Sequence, residues 1–434
     1  MDLPFLVFVA AAAAVWSIQA VMNRLARPPA AWFDAFRQAN IELSATPGPG
    51  RHLEGTRDPL RVSVARESSG GTWTTVVRIL GPFDQLSATS RFQYGAEVRP
   101  VLTGDPEVDR SVLLYGDERV IRALCDPATR RALRSVIDMG VKIENSQVVW
   151  HCTWDLELKR RLAQLVDFSE RLVPPRDLAQ RIADNIVHES LASVRALNVA
   201  TLVKHFEPWA TRSAVLAALN DLSEKVRLEA AIALGEEGHR CLLVIALSQV
   251  AEQADVLRAI AQLGDGFTPR HARWALRRAM SSQRLTTVKV CLEQLVRADD
   301  ARSVSAVRAA LSSERDAVAL AASRALKDGA TTQFEGTLIE ALTHRLVDVQ
   351  RDAVVTLGRV GTVESVAPLV DWVAHHALDR FVRADAPRAI AAIQSRLPGA
   401  SPGQLSIAGA EAGQVSLAAE DQRGAVSLEE PGSG

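Results

Sequence analysis

Val194, Val226, Val256, Val288, Val318, Val349 and Val382 recur at intervals of 32, 30, 32, 30, 31 and 33 residues. Each is followed seven or eight positions later by a second apolar residue: Leu202, Leu234, Leu263, Leu295, Leu326, Leu357 and Ile390. A period of this length marks a repeat architecture, in which each unit is too small to bury its own apolar face and covers that of its neighbour. The product of such stacking is a long surface. The feature therefore predicts a solenoid and a class of work, the holding of partners, without naming the partner.

The 434 residues exceed what one compact core accommodates. Aromatic residues make up only 5% of the chain, and Ala, Leu, Val and Arg dominate, which favours helices packed through small and aliphatic side chains. A net charge of −1 argues against bulk electrostatic binding to nucleic acid. The four cysteines, Cys125, Cys152, Cys241 and Cys291, form no C-x-x-C pair, so no zinc site is expected. Each sits in an apolar pattern and reads as a small core residue.

Leu3 to Met22 is an uncharged stretch whose only strongly polar members are Ser17 and Gln19. Three readings compete: a membrane anchor, a cleaved signal peptide and a buried core helix. A signal peptide wants basic residues ahead of its apolar core, and none precede this one. A core helix is apolar on one face, whereas this stretch is apolar all round. The expectation is thus a transmembrane anchor over 1–23. Arg24 and Arg27 follow at once, and positive charge collects on the cytoplasmic side. That places the N-terminus outside and the body in the cytoplasm.

A juxtamembrane helix, Trp32 to Leu43, and a linker, Ala45-Thr-Pro-Gly-Pro-Gly50, fill residues 24–50. Trp32, Phe33 and Phe36 would lie at the membrane interface or cap the next domain. The period then changes to two. Leu60, Val62 and Val64, then Trp73, Thr75, Val77 and Ile79, predict a hairpin about Glu67-Ser-Ser-Gly-Gly71. Leu86 to Tyr94 and Glu97 to Leu102 are weaker strand candidates. Asp117 to Asp138 has helical spacing with Pro127 at a favourable first-turn position. Val141 to Trp154 reads as a second hairpin turning at Asn145-Ser146, and Asp155 to Leu172 as a helix ended by Pro174-Pro175. Residues 51–172 are thus expected to form an α+β domain.

Seven helix pairs are expected over 177–397, the second helix of each carrying the repeating valine. In the second pair, Pro208–Asn220 and Ser223–Gly235, Ser223 is the expected cap, with Gly235 and Gly238 ending the helix in a left-handed turn. The segment Lys225-Val-Arg-Leu-Glu-Ala-Ala-Ile-Ala-Leu-Gly235 resembles the second helix of a HEAT repeat of the short bacterial kind, and Asp348-Val-Gln-Arg-Asp-Ala-Val-Val-Thr-Leu-Gly358 repeats the pattern. Val194-Arg195 and Val382-Arg383 keep the Val-Arg pair, Val288-Lys289 keeps the charge, and Val318-Ala319 and Val256-Leu257 depart from it. The resemblance covers roughly half the chain. It implies a mainly α fold, an armadillo-like α-solenoid of about seven HEAT-like helix pairs, preceded by the smaller α+β domain and the N-terminal transmembrane helix. Thr268-Pro-Arg-His271 is similar to an ankyrin motif but occurs once.

The tail, 398–434, holds three copies of Gly-x-apolar-Ser-apolar: Gly403 to Ile407, Gly413 to Leu417 and Gly424 to Leu428. The segments between them are small, polar and acidic, the composition of a disordered low-complexity tail. Each copy retains the capacity to add a short strand to an open sheet edge.

No nucleotide-binding loop, nucleophile elbow or metalloprotease signature occurs, so no catalytic residue, cofactor or metal is expected. His375, with Asp371 and Asp379 four residues to either side, would share a helix face only if one helix ran through all three. A loop is expected near 377–378, which spoils that spacing. The stronger constellation is basic. From Gly266 to Leu292 there is no acidic residue, and Arg270, Arg273, Trp274, Arg277 and Arg278 share the side of the helix opposite Ala272, Ala275, Leu276, Ala279 and Met280. Guanidiniums around an indole offer bidentate hydrogen bonds and stacking, so these five residues are the partner-binding candidates. A solvated face with Trp274 packed on a neighbouring repeat is the alternative.

The leading expectation is a membrane-tethered protein-protein interaction scaffold or adaptor of the bacterial inner membrane, single-pass and not an enzyme. Its partners would be one or more proteins, with an acidic partner or anionic headgroups at the basic stripe. The HEAT resemblance also leaves open a ligand-handling enzyme similar to phycobilin lyases, and the stripe leaves open an anion- or nucleic-acid-binding solenoid.

Overall fold

The computed structural model describes residues 28–44, 52–69, 72–90, 99–152, 155–375, 382–396, 405–406 and 416–417. The stretch expected to be an anchor, the linker over 45–50 and most of the tail lie outside them. Among the described residues, no helix is long and apolar enough to cross a membrane. The chain is mainly helical with an N-terminal antiparallel sheet domain, and it divides into two compact units, Met1–Gly238 and His239–Gly434.

In the first unit, strands β1 (Glu42–Leu43), β2 (His52–Arg57), β3 (Leu60–Ser69), β4 (Thr72–Leu80), β5 (Leu86–Ser90), β6 (Val112–Gly116), β7 (Lys142–Glu144) and β8 (Gln147–Cys152) form one sheet in the order β1-β2-β3-β4-β8-β7-β5-β6. Every neighbouring pair is antiparallel. The expected hairpin is present, with Val62 opposite Ile79 and Val64 opposite Val77. Because side chains alternate across a strand, Leu60, Val62, Val64, Val77, Ile79, Val148, Trp150 and Cys152 all enter one buried face. The second hairpin turns where expected. Asn145 and Ser146 both take positive φ, 51° and 61°, the conformation whose twist matches two antiparallel strands.

Helices α1 (Ala30–Gln38), α2 (Pro106–Ser111), α3 (Glu118–Leu124), α4 (Pro127–Asp138) and α5 (Asp155–Arg171) complete the sheet domain. Three readings of the sequence need correction here. Helix α1 stops at Gln38 rather than running to Leu43, because Asn40 turns to φ 52° and Glu42–Leu43 then pair with β2. Trp32 and Phe36 are fully buried in the sheet-domain core, and Lys159 Nζ on α5 meets Asp34 at 3.2 Å, so α1 is part of that domain. The chain approaches so closely there that a Cβ on Gly55 would lie 2.5 Å from Ile41 Cγ2 and 2.6 Å from the Glu42 carbonyl oxygen. The helix expected over 117–138 is two helices. Asp126 lies before Pro127, is held extended, and caps α4 through Thr129 N at 2.7 Å. Residues 99–102 are in no strand: Pro100 lacks a donor, and only Val101 N bonds across, to Leu114 O at 2.8 Å.

Fourteen α-helices follow among the described residues, in the pairs expected. The first unit holds α6 (Leu178–His188) with α7 (Ala192–His205), and α8 (Pro208–Ala218) with α9 (Glu224–Leu234). The second holds α10 (His239–Ala246) with α11 (Gln253–Leu263), α12 (Pro269–Ser281) with α13 (Leu285–Ala298), α14 (Ala301–Leu311) with α15 (Asp316–Gly329), α16 (Glu335–Ala341) with α17 (Val347–Val360), and α18 (Val366–His375) with α19 (Val382–Gln394). Within the second unit, α13, α15, α17 and α19 pack in succession. Small residues such as Ala319, Ala321, Ala322 and Ala325 are buried in this row and let the helices close on each other.

The repeating valines Val194, Val226, Val256, Val288, Val318 and Val349 are all buried, as are Leu202, Leu263, Leu295, Leu326 and Leu357. Leu234 and Ile390 are only half-buried. Leu234 is the last residue of its helix, and in α19 the buried row is Ala386, Ala389 and Ile393. Ser223 makes no side-chain cap. Asp221 does that work: it accepts from Ser223 N at 2.7 Å and from Arg195 Nε and Nη2 at 2.8 Å each. Gly235 takes positive φ, 58°, but with ψ −119° rather than the left-handed helical turn expected, and Gly238 ends a short 3-10 turn so close to the Ala231 carbonyl that a Cβ would not fit. In the tail, Leu405–Ser406 and Ser416–Leu417, from the first two motif copies, pair antiparallel with each other.

Two outcomes test this packing. Val226→Asp places an unpaired carboxylate at a fully buried position and should cost at least about 3 kcal/mol in urea unfolding. Burial pushes the Asp221 carboxyl up, but the Arg195 guanidinium and the Ser223 amide outweigh it and hold the group below the ordinary aspartate value. Its stabilising contribution is therefore complete above about pH 4 and is lost as pH falls through the depressed folded value. Asp221→Asn should cost about 1–2 kcal/mol at neutral pH, with a difference from the parent that shrinks on acidification.

Candidate functional site

Helix α12 carries the five basic-stripe candidates. Pro269 occupies its first turn, and Thr268 N donates to His271 Nδ1 at 3.3 Å, so His271 closes the helix start instead of joining the open face. Ala272, Ala275, Leu276 and Ala279 are buried as the spacing predicts, with Met280 half-buried at the edge.

The structure splits the candidates into two sets. Arg270, Trp274 and Arg277 are exposed, at positions i, i+4 and i+7 of one face, and Trp274 retains 52% of its surface. Arg273 and Arg278 are half-buried. Arg273 Nη1 reaches across to α14, 3.5 Å from Asp300 Oδ2 and 3.3 Å from Ser303 Oγ. Arg278 Nη1 donates to the Leu247 carbonyl, while its guanidinium carbon stands 5.2 Å from the centre of the Trp274 ring. These two guanidiniums join neighbouring helix pairs, and Arg278 also fixes the indole from one side. Trp274 is thus braced but not packed away.

Asp300 is the anion that a contiguous reading of the sequence missed. It lies beyond the acid-free window but arrives beside it from the next pair. The Ser303 hydroxyl and amide hold its carboxyl below the usual aspartate range, with Arg273 adding to the effect. Reading residues by position within the repeat would also have found Arg240 on α10 and Arg302 on α14, both exposed. Arg240, Arg270, Arg277 and Arg302 make no ion pair among the described residues.

Elsewhere the chemistry is sparse. Cys125, Cys152 and Cys291 are buried, and burial pushes the Cys125 and Cys291 thiols up to about 12, leaving little thiolate near neutral pH. His375 Nδ1 lies 2.7 Å from the carbonyl oxygen of Asp371 in its own helix, which ends at His375, and Asp379 is outside the described residues. No group of three potential metal ligands occurs among the described residues. A cleft of about 340 Å³ beside the end of α12 is lined by Leu285, Val288, Arg315 and Val318.

No protein-family model matches the sequence, and no curated protein matches it. Two crystal structures of engineered proteins from a structural genomics consortium are similar to it. One is 15% identical, covering 50% of this chain and 97% of that one, with a TM-score of 0.25. The other is 17% identical, covering 64% and 73%, with a TM-score of 0.22. Neither likeness bears on what this chain does.

The split within the stripe has a measurable consequence. Arg273→Glu faces Asp300 across the helix interface and should lower stability by about 1 kcal/mol. Arg277→Glu, on the open face, should stay within about 0.5 kcal/mol of the parent in the same urea titration.

Proposed function

We propose that this chain is a membrane-tethered interaction scaffold, a binding protein without catalysis, whose helix pairs stack as a HEAT-type solenoid. The observation that carries the reading is the succession of helix pairs, the first six of which keep a buried valine in the first turn of the second helix. A further support for the HEAT assignment comes from the Val-Arg pairs. Arg195 Nη1 donates to the carbonyls of Glu189 and Ser190, and Arg227 Nη1 to those of Asp221 and Leu222, so two successive pairs use one arginine in one way. A row of tightly packed second helices leaves the first helices to present side chains outward, as α12 presents Arg270, Trp274 and Arg277. The expected partners are proteins.

The tether rests on the sequence: the uncharged stretch Leu3 to Met22 followed by Arg24 and Arg27 gives an inner-membrane anchor with the body in the cytoplasm. Crosslinking in native membranes followed by identification of co-purifying chains tests the scaffold. Specific protein partners are expected; a purified chain that carries a bound small ligand and no partner would overturn it. A reporter fused after Gly434 tests the tether separately. Cytoplasmic reporter activity with an intact N-terminus is expected, and activity on the far side of the membrane, or a mature start near Val21, would refute it.

A further inference from the structure

The helices α10, α12 and α14 contain no aspartate or glutamate. Together they carry Arg240, Arg270, Arg273, Arg277, Arg278, Arg302 and Arg308. The three lie side by side, for Arg278 binds the Leu247 carbonyl at the end of α10 and Arg273 meets Ser303 on α14. Arg308 is taken by Glu340 at 3.2 Å, and Arg273 and Arg278 are taken as described. Arg240, Arg270, Arg277 and Arg302 are therefore exposed and without an ion pair among the described residues, on three neighbouring helices of which the middle one carries the braced indole. Asp300, the carboxylate that Arg273 meets, is already occupied by Arg273, Ser303 and the Arg302 amide.

We infer that this face is the docking surface for an acidic polypeptide segment, with Trp274 as its apolar anchor; the inference rests on the scaffold reading and names the chemistry of its partner. Arg270 and Arg277 are seven residues apart, about 10 Å along the helix. In the extended polyproline II conformation, with three residues per turn and a rise of about 3.1 Å, carboxylates at positions i and i+3 share a face and stand about 9 Å apart. An extended acidic segment laid along α12 thus meets both arginines at once and sets an intervening apolar side chain against Trp274. Arginine and tryptophan are the side chains that dominate interface energies. Arg278 holds the indole in place in the free protein, so little side-chain freedom is lost on docking. Arg240 and Arg302, on the helices to either side, add attraction at longer range. A nucleic-acid duplex presents a charge every ~1.7 Å, so four guanidiniums spread over three helices leave most phosphates unmatched.

The test uses the full chain in detergent and a fluorescent peptide of repeated Asp-Leu-Ser-Glu units, read by anisotropy. Binding that weakens with salt is expected, with loss of at least about ten-fold in the Arg270→Glu/Arg277→Glu variant, where each ten-fold corresponds to about 1.4 kcal/mol. Trp274→Ala should weaken binding with an unchanged salt slope. Circular dichroism and urea midpoints matching the parent confirm that both variants fold. Unchanged affinity in the double variant, equal binding of an Asn-Leu-Ser-Gln peptide, or displacement of the acidic peptide by single-stranded DNA or phosphatidylserine vesicles at lower concentration would overturn the inference. Stimulated binding after removal of 398–434 would assign the surface to the chain's own acidic tail and likewise overturn it. If the double variant keeps every crosslinked partner, the scaffold stands and this surface fails; if the parent binds the peptide but crosslinks to nothing, the reverse holds.

Discussion

A single pair of helices from this series has two apolar faces and can cover neither, so the series needs a closed end, and the sheet domain supplies it. Helix α3 packs on α6 and α7, and Ala123 joins the core formed by Ile182, Ile186, Ala196 and Val199. The seam is fixed by a buried guanidinium. Arg130 on α4 donates to Glu189 Oε2 at 2.6 Å, to Asp105 Oδ2 at 3.0 Å and to the Cys125 carbonyl at 2.8 Å. Burial works against the Arg130 charge, but Glu189 and Asp105 outweigh it and hold the group above its ordinary value. Breaking such a buried pair by removing one partner costs about 3–5 kcal/mol, because the other charge is left without compensation. Asn185 adds bonds to the carbonyls of Arg122 and Ala123, and Ser193 binds the Gly104 carbonyl. The sheet domain and the first two pairs consequently form one compact unit.

Beyond the seam, arginines repeat a second device. Arg284 donates to the carbonyls of Ser248, Gln249 and Ala251, Arg345 to those of Ser313 and Glu314, and Arg396 to those of Gly358 and Gly361. Each satisfies carbonyls that a helix end or its loop leaves open. In each case the arginine belongs to a later pair than the carbonyls, so the bond joins one pair to the pair before it. Glu335 does the converse with its carboxylate, accepting from Thr362 N at 2.6 Å and from the Ser365 hydroxyl. Packing and these polar joints together lock the second helices, and the outward faces of the first helices carry little of the fold's stability.

The periodic parts of this architecture were legible because they rest on local rules. The valine interval gave the helix pairs, and the alternation at Val62 and Val77 gave a hairpin. Asn145-Ser146 gave a turn. What was not legible depends on residues far apart in the chain. Nothing near Trp32 says that α5 will cover it. The window around Arg273 is free of acid, yet Asp300 arrives from the next pair; Arg278 finds its acceptor at Leu247, 31 positions back. Ser223 has the right residue type for a cap but lost the role to Asp221, whose two oxygens serve both the Ser223 amide and Arg195. Local sequence fixes which side chain stands where on a helix, while the neighbouring pair decides what it does there.

That division also explains how a basic face persists on α10, α12 and α14. Two guanidiniums about 10 Å apart in water repel by only about 0.4 kcal/mol before screening, and the Debye length of about 8 Å at physiological salt reduces this further. The fold therefore tolerates the charge. A glutamate four residues before an arginine within one helix would add about 0.3–0.5 kcal/mol, and none of the three helices contains one. The arginines that do serve the fold, Arg273, Arg278 and Arg308, have partners on adjacent elements, whereas those turned outward have none among the described residues. A packing requirement accounts for the first group and leaves the second without a structural role, while a polyanionic partner would use both the unspent charge and the indole that Arg278 holds in place.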